Sequence, residues 1–381
     1  MIKTLIAHTT EMDDQELAVA EILEQLEIEK NLRRNSVGIM SCYLEFMENE
    51  IVRAICERMP FDVVGVNALG SATSGEGGEM VLSLAVLTSD DVFFSAGVSE
   101  PLSRDYEKSL AKLYEETASG LTDKPALMLA FAPFFCEIAP DCFLDCLDGA
   151  SGGVPIFGLA ASDYSTEFRK PMVLFNGETY DKSFAILLIA GNIKPRFTSS
   201  SIPEEKVMQR KAVITKAEGN LLKEINGVPA IQYMESLGFV KDGKFKGLRT
   251  IPLVVDYNDG TPSVLRTIAS PTPEGYLILA GAVAENRAFG VGVIDSGHIM
   301  ETATELANEV RDYNFLLIAS CIARNFVLDW DNMAEITRIR SRLGAAPFLF
   351  VYAGGEFCPV KAEDGRLMNR FHNLTLVSCA F

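Results

Sequence analysis

The feature that most constrains the fold of this chain is an order of elements that occurs three times. In each copy an apolar strand leads into a helix, and a second apolar strand then ends in a loop rich in small residues. The strand pairs are SVGIMSCY with DVVGVNALGS, PALMLAFA with VPIFGLAAS, and NFLLIASC with PFLFVYAGGE. We therefore predict that residues 36–98, 125–190 and 314–380 are related units with the same connectivity.

Further apolar runs in each copy predict antiparallel strands beside the parallel pair. The predicted hairpins are MVLSLAVL with VFFSAGV in the first copy and PMVLF with SFAILLIAG across Asn176-Gly177 in the second, while HNLTLVSCA returns in the third. The sequence thus predicts an α/β (mixed α+β) fold with mixed parallel and antiparallel sheets. Helices with one apolar face would cover the sheets in an α/β/β/α layering, with two sheets packed together.

The length of 381 residues predicts two domains, because a single core rarely grows beyond about 250–300 residues. Residues 191–206 combine proline, serine and charged residues between two apolar regions, which is typical of an interdomain connection. We place the two domains at residues 1–205 and 206–381.

Charge and hydropathy argue against two classes of partner. The chain has 34 basic and 52 acidic residues, and its net charge of −18 would repel the phosphate backbone of a nucleic acid. Its apolar runs are shorter than the ~18 residues of a membrane-spanning helix, and the first of them is too short for a signal peptide. We expect a cytoplasmic protein with no nucleic-acid partner and no membrane insertion.

The eight cysteines are scattered without Cys-x-x-Cys spacing, which predicts reduced thiols. Cys136, Cys142 and Cys146 form the densest group, but the last two share a helical stripe with Phe143 and Leu147. Because these apolar side chains favour burial, we predict that the three cysteines bind no metal. We also expect no cofactor.

The densest group of polar residues lies in the third copy, where its strands end. Parallel strands bring their carboxyl ends to one edge of a sheet, and open α/β sheets bind ligands at that edge. The residues are Ser320, Cys321 and Arg324 after one strand, Gly354, Gly355 and Glu356 after the next, and His372 and Asn373 at the last. We predict a ligand-binding site here, where the glycines would let a ligand approach the backbone.

Arg324 and Glu356 are predicted to face one pocket between the two domains. An arginine offers a fork of donors to a carboxylate and a glutamate accepts from an ammonium group, so together they suit a zwitterion such as an amino acid. The alternative is that the two side chains only pair with each other. His372 has a comparable alternative, in which its imidazole is hydrogen-bonded to a turn.

The loop GSATSGEGG lacks the Gly-Lys-Ser/Thr signature of a phosphate-binding loop and is not predicted to precede a helix. We predict a flexible rim that contributes Ser71 and Thr73 to the pocket or else only turns the chain. Residues 161–164 would occupy the equivalent place in the second copy.

Catalysis would require an activated nucleophile, and Cys321 with His372 is the candidate pair. The two residues are 51 positions apart, and no local motif joins them. Both are therefore weak catalytic candidates.

Several stretches resemble the FIST family. FLLIASCIARNFVL, FVYAGGEFCPV and NRFHNLTLVSCAF look like its C-terminal domain, and INGVPAIQYMESLG resembles an earlier helix of the same domain. DVVGVNALGSATSGEGG and VPIFGLAASD resemble its N-terminal domain, so the resemblance covers nearly the whole chain. It implies an intracellular sensory module for small ligands such as amino acids, and it implies no established reaction.

The resemblance also implies which positions matter. The matching residues are Cys321, Arg324, Gly355, Glu356, Asn373 and Thr375, with Gly65 and Gly70 to Gly75 on the N-terminal side. Signalling or F-box domains accompany this module in other members and are not evident in this sequence, so a separate signalling protein would carry the output. Two alternatives stay open: a hydrolase or transferase that uses Cys321, and a scaffold that binds only proteins.

Overall fold

Three repeated units and one insertion make up the chain in a computed structural model. The structure describes all residues except 135–137, 164–169, 201, 242 and 330. The mixed α/β class is confirmed, since parallel and antiparallel strands alternate with helices along the chain. The first unit comprises β1 (Lys3–Thr9), α1 (Gln15–Leu26), α2 (Ile28–Asn31), β2 (Asn35–Cys42), α3 (Leu44–Glu48), α4 (Ile51–Cys56), β3 (Val63–Asn67), β4 (Ser71–Thr73), β5 (Gly77–Gly78) and β6 (Leu82–Ser89).

The second unit repeats this order, and the third begins with one strand before the insertion interrupts it. The second unit comprises β7 (Val92–Val98), α5 (Tyr106–Ala118), β8 (Leu127–Ala132), α6 (Pro140–Ser151), β9 (Ile156–Ala160), β10 (Val173–Phe175), β11 (Glu178–Tyr180) and β12 (Ala185–Gly191), and β13 (Arg196–Ser200) starts the third. The insertion comprises β14 (Val207–Glu218), β15 (Leu221–Ile225), β16 (Val228–Pro229), α7 (Ala230–Ser236), β17 (Val240–Lys241), β18 (Lys244–Phe245), β19 (Leu253–Asp256), β20 (Val264–Arg266), β21 (Ile268–Pro271), β22 (Leu277–Leu279) and β23 (Ala288–Gly292).

The third unit then resumes with the remaining elements of the repeat. They are α8 (Ser296–Glu309), β24 (Leu316–Cys321), α9 (Ile322–Val327), α10 (Asn332–Leu343), β25 (Phe348–Ala353), β26 (Gly355–Lys361), β27 (Leu367–His372) and β28 (Leu376–Ala380). Local sequence fixes several helix ends. Asp14 caps α1 by accepting from the backbone N–H of Leu17, and Pro140 starts α6, which ends at the left-handed Gly152.

Each unit supplies four strands to its own sheet. The two strands joined by a helix pair in parallel, as β2 with β3, β8 with β9 and β24 with β25. The return strands β6, β12 and β28 and the outer strands β1, β7 and β13 add antiparallel pairs on one side. The predicted strand–helix–strand order is thus present in all three segments. β7, however, belongs to the sheet of the second unit.

The fifth and sixth strands of each of these three sheets form a hairpin that belongs to another unit. β4–β5 of the first unit pairs with β25 in the third sheet, β10–β11 of the second pairs with β3 in the first, and β26–β27 of the third pairs with β9 in the second. The three units thus form three six-stranded sheets, linked in a cycle by exchanged hairpins, while the described strands of the insertion form an eight-stranded and a two-stranded sheet of their own.

This exchange corrects two predicted hairpins. β6 and β7 are adjacent in sequence but lie in different sheets, and Asn176-Gly177 joins β10 to the short β11, not to the strand SFAILLIAG. The predicted turn at Asn176-Gly177 is present, and both residues have the positive φ that such a turn requires, 50° and 86°. The errors arose because the strands of the predicted hairpins are all apolar, so hydropathy does not specify which strand pairs with which.

One core lies at the centre of the molecule, where the inner faces of the three sheets meet. It contains Ile39 and Val66 of the first sheet, Leu129 of the second, and Leu317 and others of the third. Helices cover the outer faces and form three peripheral clusters. The predicted α/β/β/α layering of two packed sheets is therefore corrected: three sheets surround one shared core.

Candidate functional site

Buried polar side chains lie under the insertion, around the end of β24. Cys321, Arg324, Asn325 and Glu356, here called the Glu356 cluster, have relative exposures of 1%, 0%, 0% and 0%. Cys321 and the helix α9 come from the third unit, whereas Glu356 lies on the exchanged hairpin in the second sheet. Two of the predicted site residues, Arg324 and Glu356, thus come close enough to interact electrostatically.

Arg324 forms a buried ion pair with Glu335 of α10. Its Nη2 lies 2.6 Å from Glu335 Oε1 and 3.0 Å from Thr302 Oγ1, and its Nε lies 3.1 Å from the same Glu335 oxygen and 3.2 Å from Ser320 Oγ. The alternative of an Arg324–Glu356 pair is therefore wrong. Within the described part of the chain, Nη1 has no hydrogen-bond partner, which leaves one edge of the guanidinium free.

Glu356 carries the one carboxyl group of the cluster. Neither of its oxygens has a hydrogen bond of normal geometry among the residues that the structure describes, although the Cys321 thiol and the backbone N–H of Thr375 lie close enough to lower its pKa. Burial raises its pKa well above the ordinary value; the nearby Cys321 thiol and Arg324 act in the opposite direction and do not offset it, and Glu335 adds to the rise. Burial thus disfavours the ionised form of this carboxyl group.

Cys321 and His372 do not form a nucleophile–base pair. Burial, and then Glu356, raise the pKa of the Cys321 thiol well above its ordinary value, so the thiol is protonated. His372 Nε2 lies 3.1 Å from the carbonyl oxygen of Cys358 on the neighbouring strand β26, and burial lowers its pKa to about 4. The His372 imidazole is thus neutral and buried, and it is hydrogen-bonded to a neighbouring strand, not to a turn.

Asn373, Thr375 and Gly355 support the backbone next to the cluster. Asn373 Nδ2 donates to the carbonyl of His372, and the Thr375 hydroxyl donates to the carbonyl of Asn373 at 2.8 Å. A Cβ on Gly355 would lie 2.2 Å from the Phe371 ring, so the glycine is required by packing. Asn373 also accepts from the backbone N–H of Thr267, which belongs to the insertion, at 3.4 Å.

Ser71 and Thr73 lie on β4, in the third sheet, and bond away from the cluster. Ser71 Oγ donates to Ser83 Oγ at 3.0 Å, and Thr73 Oγ1 accepts from the backbone N–H of Gly75 at 3.2 Å. A Cβ on Gly75 would lie 2.6 Å from the His8 ring, and Arg340 donates to the carbonyl of Gly75. These contacts pack the loop against β1 and α10, and the flexible rim stays a prediction. Of the equivalent loop at residues 161–164, Tyr164 is outside the described residues.

The repeats provide an internal comparison for Glu356. Ser71, Val173 and Glu356 occupy the same register position in the three exchanged hairpins, opposite Val351, Val66 and Leu159. The fold therefore accepts serine or valine where the second sheet holds a buried glutamic acid. Packing alone therefore does not require a carboxyl group at this position.

Asn325 was not identified from the sequence. It lies one helical turn after Cys321, on the same face of α9, and both polar atoms of its carboxamide are buried without a partner in the described residues. Its spacing from Cys321 was the available signal. Glu335 was also missed, because its contact with Arg324 joins two separate helices, α9 and α10, and no spacing rule relates their residues.

Cys142 and Cys146 lie on α6 beside its buried stripe, not within it. Phe143 and Leu147 are buried as expected, whereas both thiols are half-buried and face the Tyr106 side of α5. Cys136 falls outside the described residues. The prediction that these cysteines bind no metal stays a prediction.

Comparisons with known proteins give two family matches. A model described as the FIST N domain matches residues 36–228, and one described as the FIST C domain matches residues 230–359. No curated protein matches the chain. Among solved structures, the crystal structure of cyanuric acid hydrolase from A. caulinodans aligns over 100% of this chain and 99% of its own, with 8% identity and a TM-score of 0.36. A similarity at that level supports no argument about this chain.

Proposed function

Because this chain belongs to the FIST family, whose domains are generally sensors of small ligands in signal transduction, we propose that it senses its ligand through the Glu356 cluster. The observation that carries the proposal is the set of buried polar groups without partners in the described residues: Nη1 of Arg324, the Asn325 carboxamide and the Glu356 carboxyl. Each such group costs about 1–3 kcal/mol when it is buried unsatisfied. A ligand that satisfies these groups would recover that free energy on binding.

The ligand that suits these groups is an amino acid or a related carboxylate. Nη1 of Arg324 and the Asn325 amide can donate to a carboxylate, and Glu356 can accept from an ammonium group. The Arg324–Glu335 pair has no net charge, and burial disfavours the ionised form of Glu356 unless a cation such as an ammonium group lies beside it. A zwitterion, which also has no net charge, therefore fits the cluster better than a simple anion does.

The other two functions receive less support from the site. A hydrolase or transferase would need a reactive thiolate, and the Cys321 thiol is protonated, with no hydrogen bond from His372 in the described geometry. A scaffold that binds only proteins gives no reason for buried, unsatisfied polar groups.

Among the residues that the structure describes, no helix combines the length and apolar character needed to cross a bilayer. We propose that the protein acts in the cytoplasm and passes its signal to a separate protein.

Calorimetric titration with a panel of amino acids tests the proposal. The variant is Glu356→Gln, which keeps the shape of the side chain but cannot ionise to accept from an ammonium group. It should weaken binding by about tenfold or more, since a charge-assisted hydrogen bond contributes about 1.5–3 kcal/mol. Glu115→Gln, on the exposed face of α5, is the matched control and should bind as the wild type does.

Two outcomes would contradict the proposal at different levels. If the wild type binds no amino acid, but mass spectrometry of the denatured protein finds another small molecule, the ligand class is wrong and the sensor proposal stands. If a ligand binds the wild type and Glu356→Gln with equal affinity, the Glu356 cluster is not the binding site.

A further inference from the structure

The Glu356 cluster has no route to solvent in this state, which raises the question of how a ligand enters. Its four side chains are at most 1% exposed. The cover over Cys321 is a small apolar contact in which Leu265 and Val254 of the insertion pack with Ala323 and Leu374 of the third unit. This contact is separate from the central core, so the insertion can leave it without disturbing the three sheets.

The insertion, residues 207–292, is built as a body of its own. Its apolar cluster contains residues 212–291 only, with Leu253, Phe289 and Met234 among the buried side chains. The chain enters and leaves it at one place, where Val293 N–H donates to the carbonyl of Lys206 at 3.0 Å and Lys206 Nζ lies 2.9 Å from Asp295. Two crossings at one point have the geometry of a hinge.

Two reciprocal ion pairs fasten the insertion to the rest of the molecule. Arg266 of the insertion is buried and lies 2.5 Å from Asp141 of α6, while Asp259 of the insertion pairs with Arg370 of β27. Arg266 Nη1 also donates to the carbonyl of Phe371 at 2.9 Å, and Asp141 accepts from the backbone N–H of Ala282 at 2.7 Å. These polar contacts surround the small apolar cover.

We propose that residues 207–292 are a lid, which rotates about Lys206 and Val293 to admit the ligand and is held closed by the Arg266–Asp141 pair. The inference rests on the proposed function, because it assumes that the Glu356 cluster is what the lid closes. Opening breaks the small apolar contact, the two ion pairs and the few hydrogen bonds between the insertion and the other units, such as that from the Glu363 N–H to the carbonyl of Gly260. The core of the lid and the central core stay intact. A ligand that binds beneath the lid would therefore shift the population between its closed and open positions.

Cysteine accessibility tests the lid without any ligand, so its result is independent of the calorimetric titration. Cys321 lies under the lid, and Cys379 lies in the central core, so the chain contains a reporter and an internal control. Both are labelled with N-ethylmaleimide at pH 8, and the labelling rates are measured by peptide mass spectrometry in the wild type, Asp141→Asn and the control Glu115→Gln.

Asp141→Asn leaves Arg266 buried without its charged partner in the closed position only. Labelling of Cys321 should become about tenfold faster or more, because reactivity follows the population of the open state, and labelling of Cys379 should not change. Asp259→Asn, whose ion pair is more exposed, should give a smaller increase and serves if Asp141→Asn does not fold. An unchanged Cys321 rate, or equal acceleration of Cys321 and Cys379 as in global unfolding, would overturn the lid.

Discussion

Removing the cation from the Arg324–Glu335 pair should destabilise the whole protein, not only ligand binding. In Arg324→Met the aliphatic part of the side chain is kept, but Glu335 loses both guanidinium contacts, at 2.6 and 3.1 Å, while it stays fully buried. Removing one partner of a buried pair costs about 3–5 kcal/mol, because the other charge is left uncompensated. Ser320 and Thr302 also lose donors, which places the expected loss toward the upper end of that range.

The double variant Arg324→Met/Glu335→Met separates the pair from its surroundings. With both charges removed, most of the lost stability should return, and the double variant should be within about 1–2 kcal/mol of the wild type. Urea denaturation followed by circular dichroism gives the free energy of unfolding for the wild type, both single variants and the double variant. The reasoning would be refuted if Arg324→Met lost less than about 1 kcal/mol, or if the double variant were no more stable than Arg324→Met.

Two further predictions concern packing and protonation. Gly65→Ala should lose about 3 kcal/mol of stability in urea denaturation, because its Cβ would lie 1.8 Å from the carbonyl oxygen of Met40. Gly149→Ala in α6, where nothing lies within 4 Å of the added Cβ, should instead gain about 0.5–1 kcal/mol. Equal effects of the two substitutions would contradict the packing argument. His372 has a pKa of about 4 in the folded state against about 6.5 when unfolded, so the unfolded state binds more protons between these values and stability should fall by about 2 kcal/mol from pH 7 to pH 5. His372→Gln should remove that part of the pH dependence, and an unchanged slope would show that His372 does not cause it.

The repeated plan was accessible from the sequence, whereas the sheet partners were not. Long apolar runs such as β8 and β24 identify buried strands, and their order revealed the three units. A strand that pairs with its neighbour in sequence and a strand that pairs with a different unit are equally apolar, so hydropathy does not distinguish them. The exchange of hairpins therefore had no signal in a single sequence.

The candidate site shows the same division between local and distant information. Arg324 and Glu356 were placed at strand ends correctly, because strand ends are local features. The partner of Arg324 is Glu335, which lies on the next helix, and no spacing rule relates the two. Ser71 and Thr73 were assigned to the same pocket because both follow a strand, but the exchange carries them into the third sheet, where Ser71 bonds to Ser83.

The exchanged hairpins also determine where a signal from the site can travel. Glu356 is covalently part of the third unit, yet β26 is hydrogen-bonded to β9 in the second sheet. A displacement of Glu356 by ligand would therefore pull directly on the sheet beneath α5 and α6, without passing through the lid. The sheet that these two helices cover is thus connected to Glu356 by a single strand.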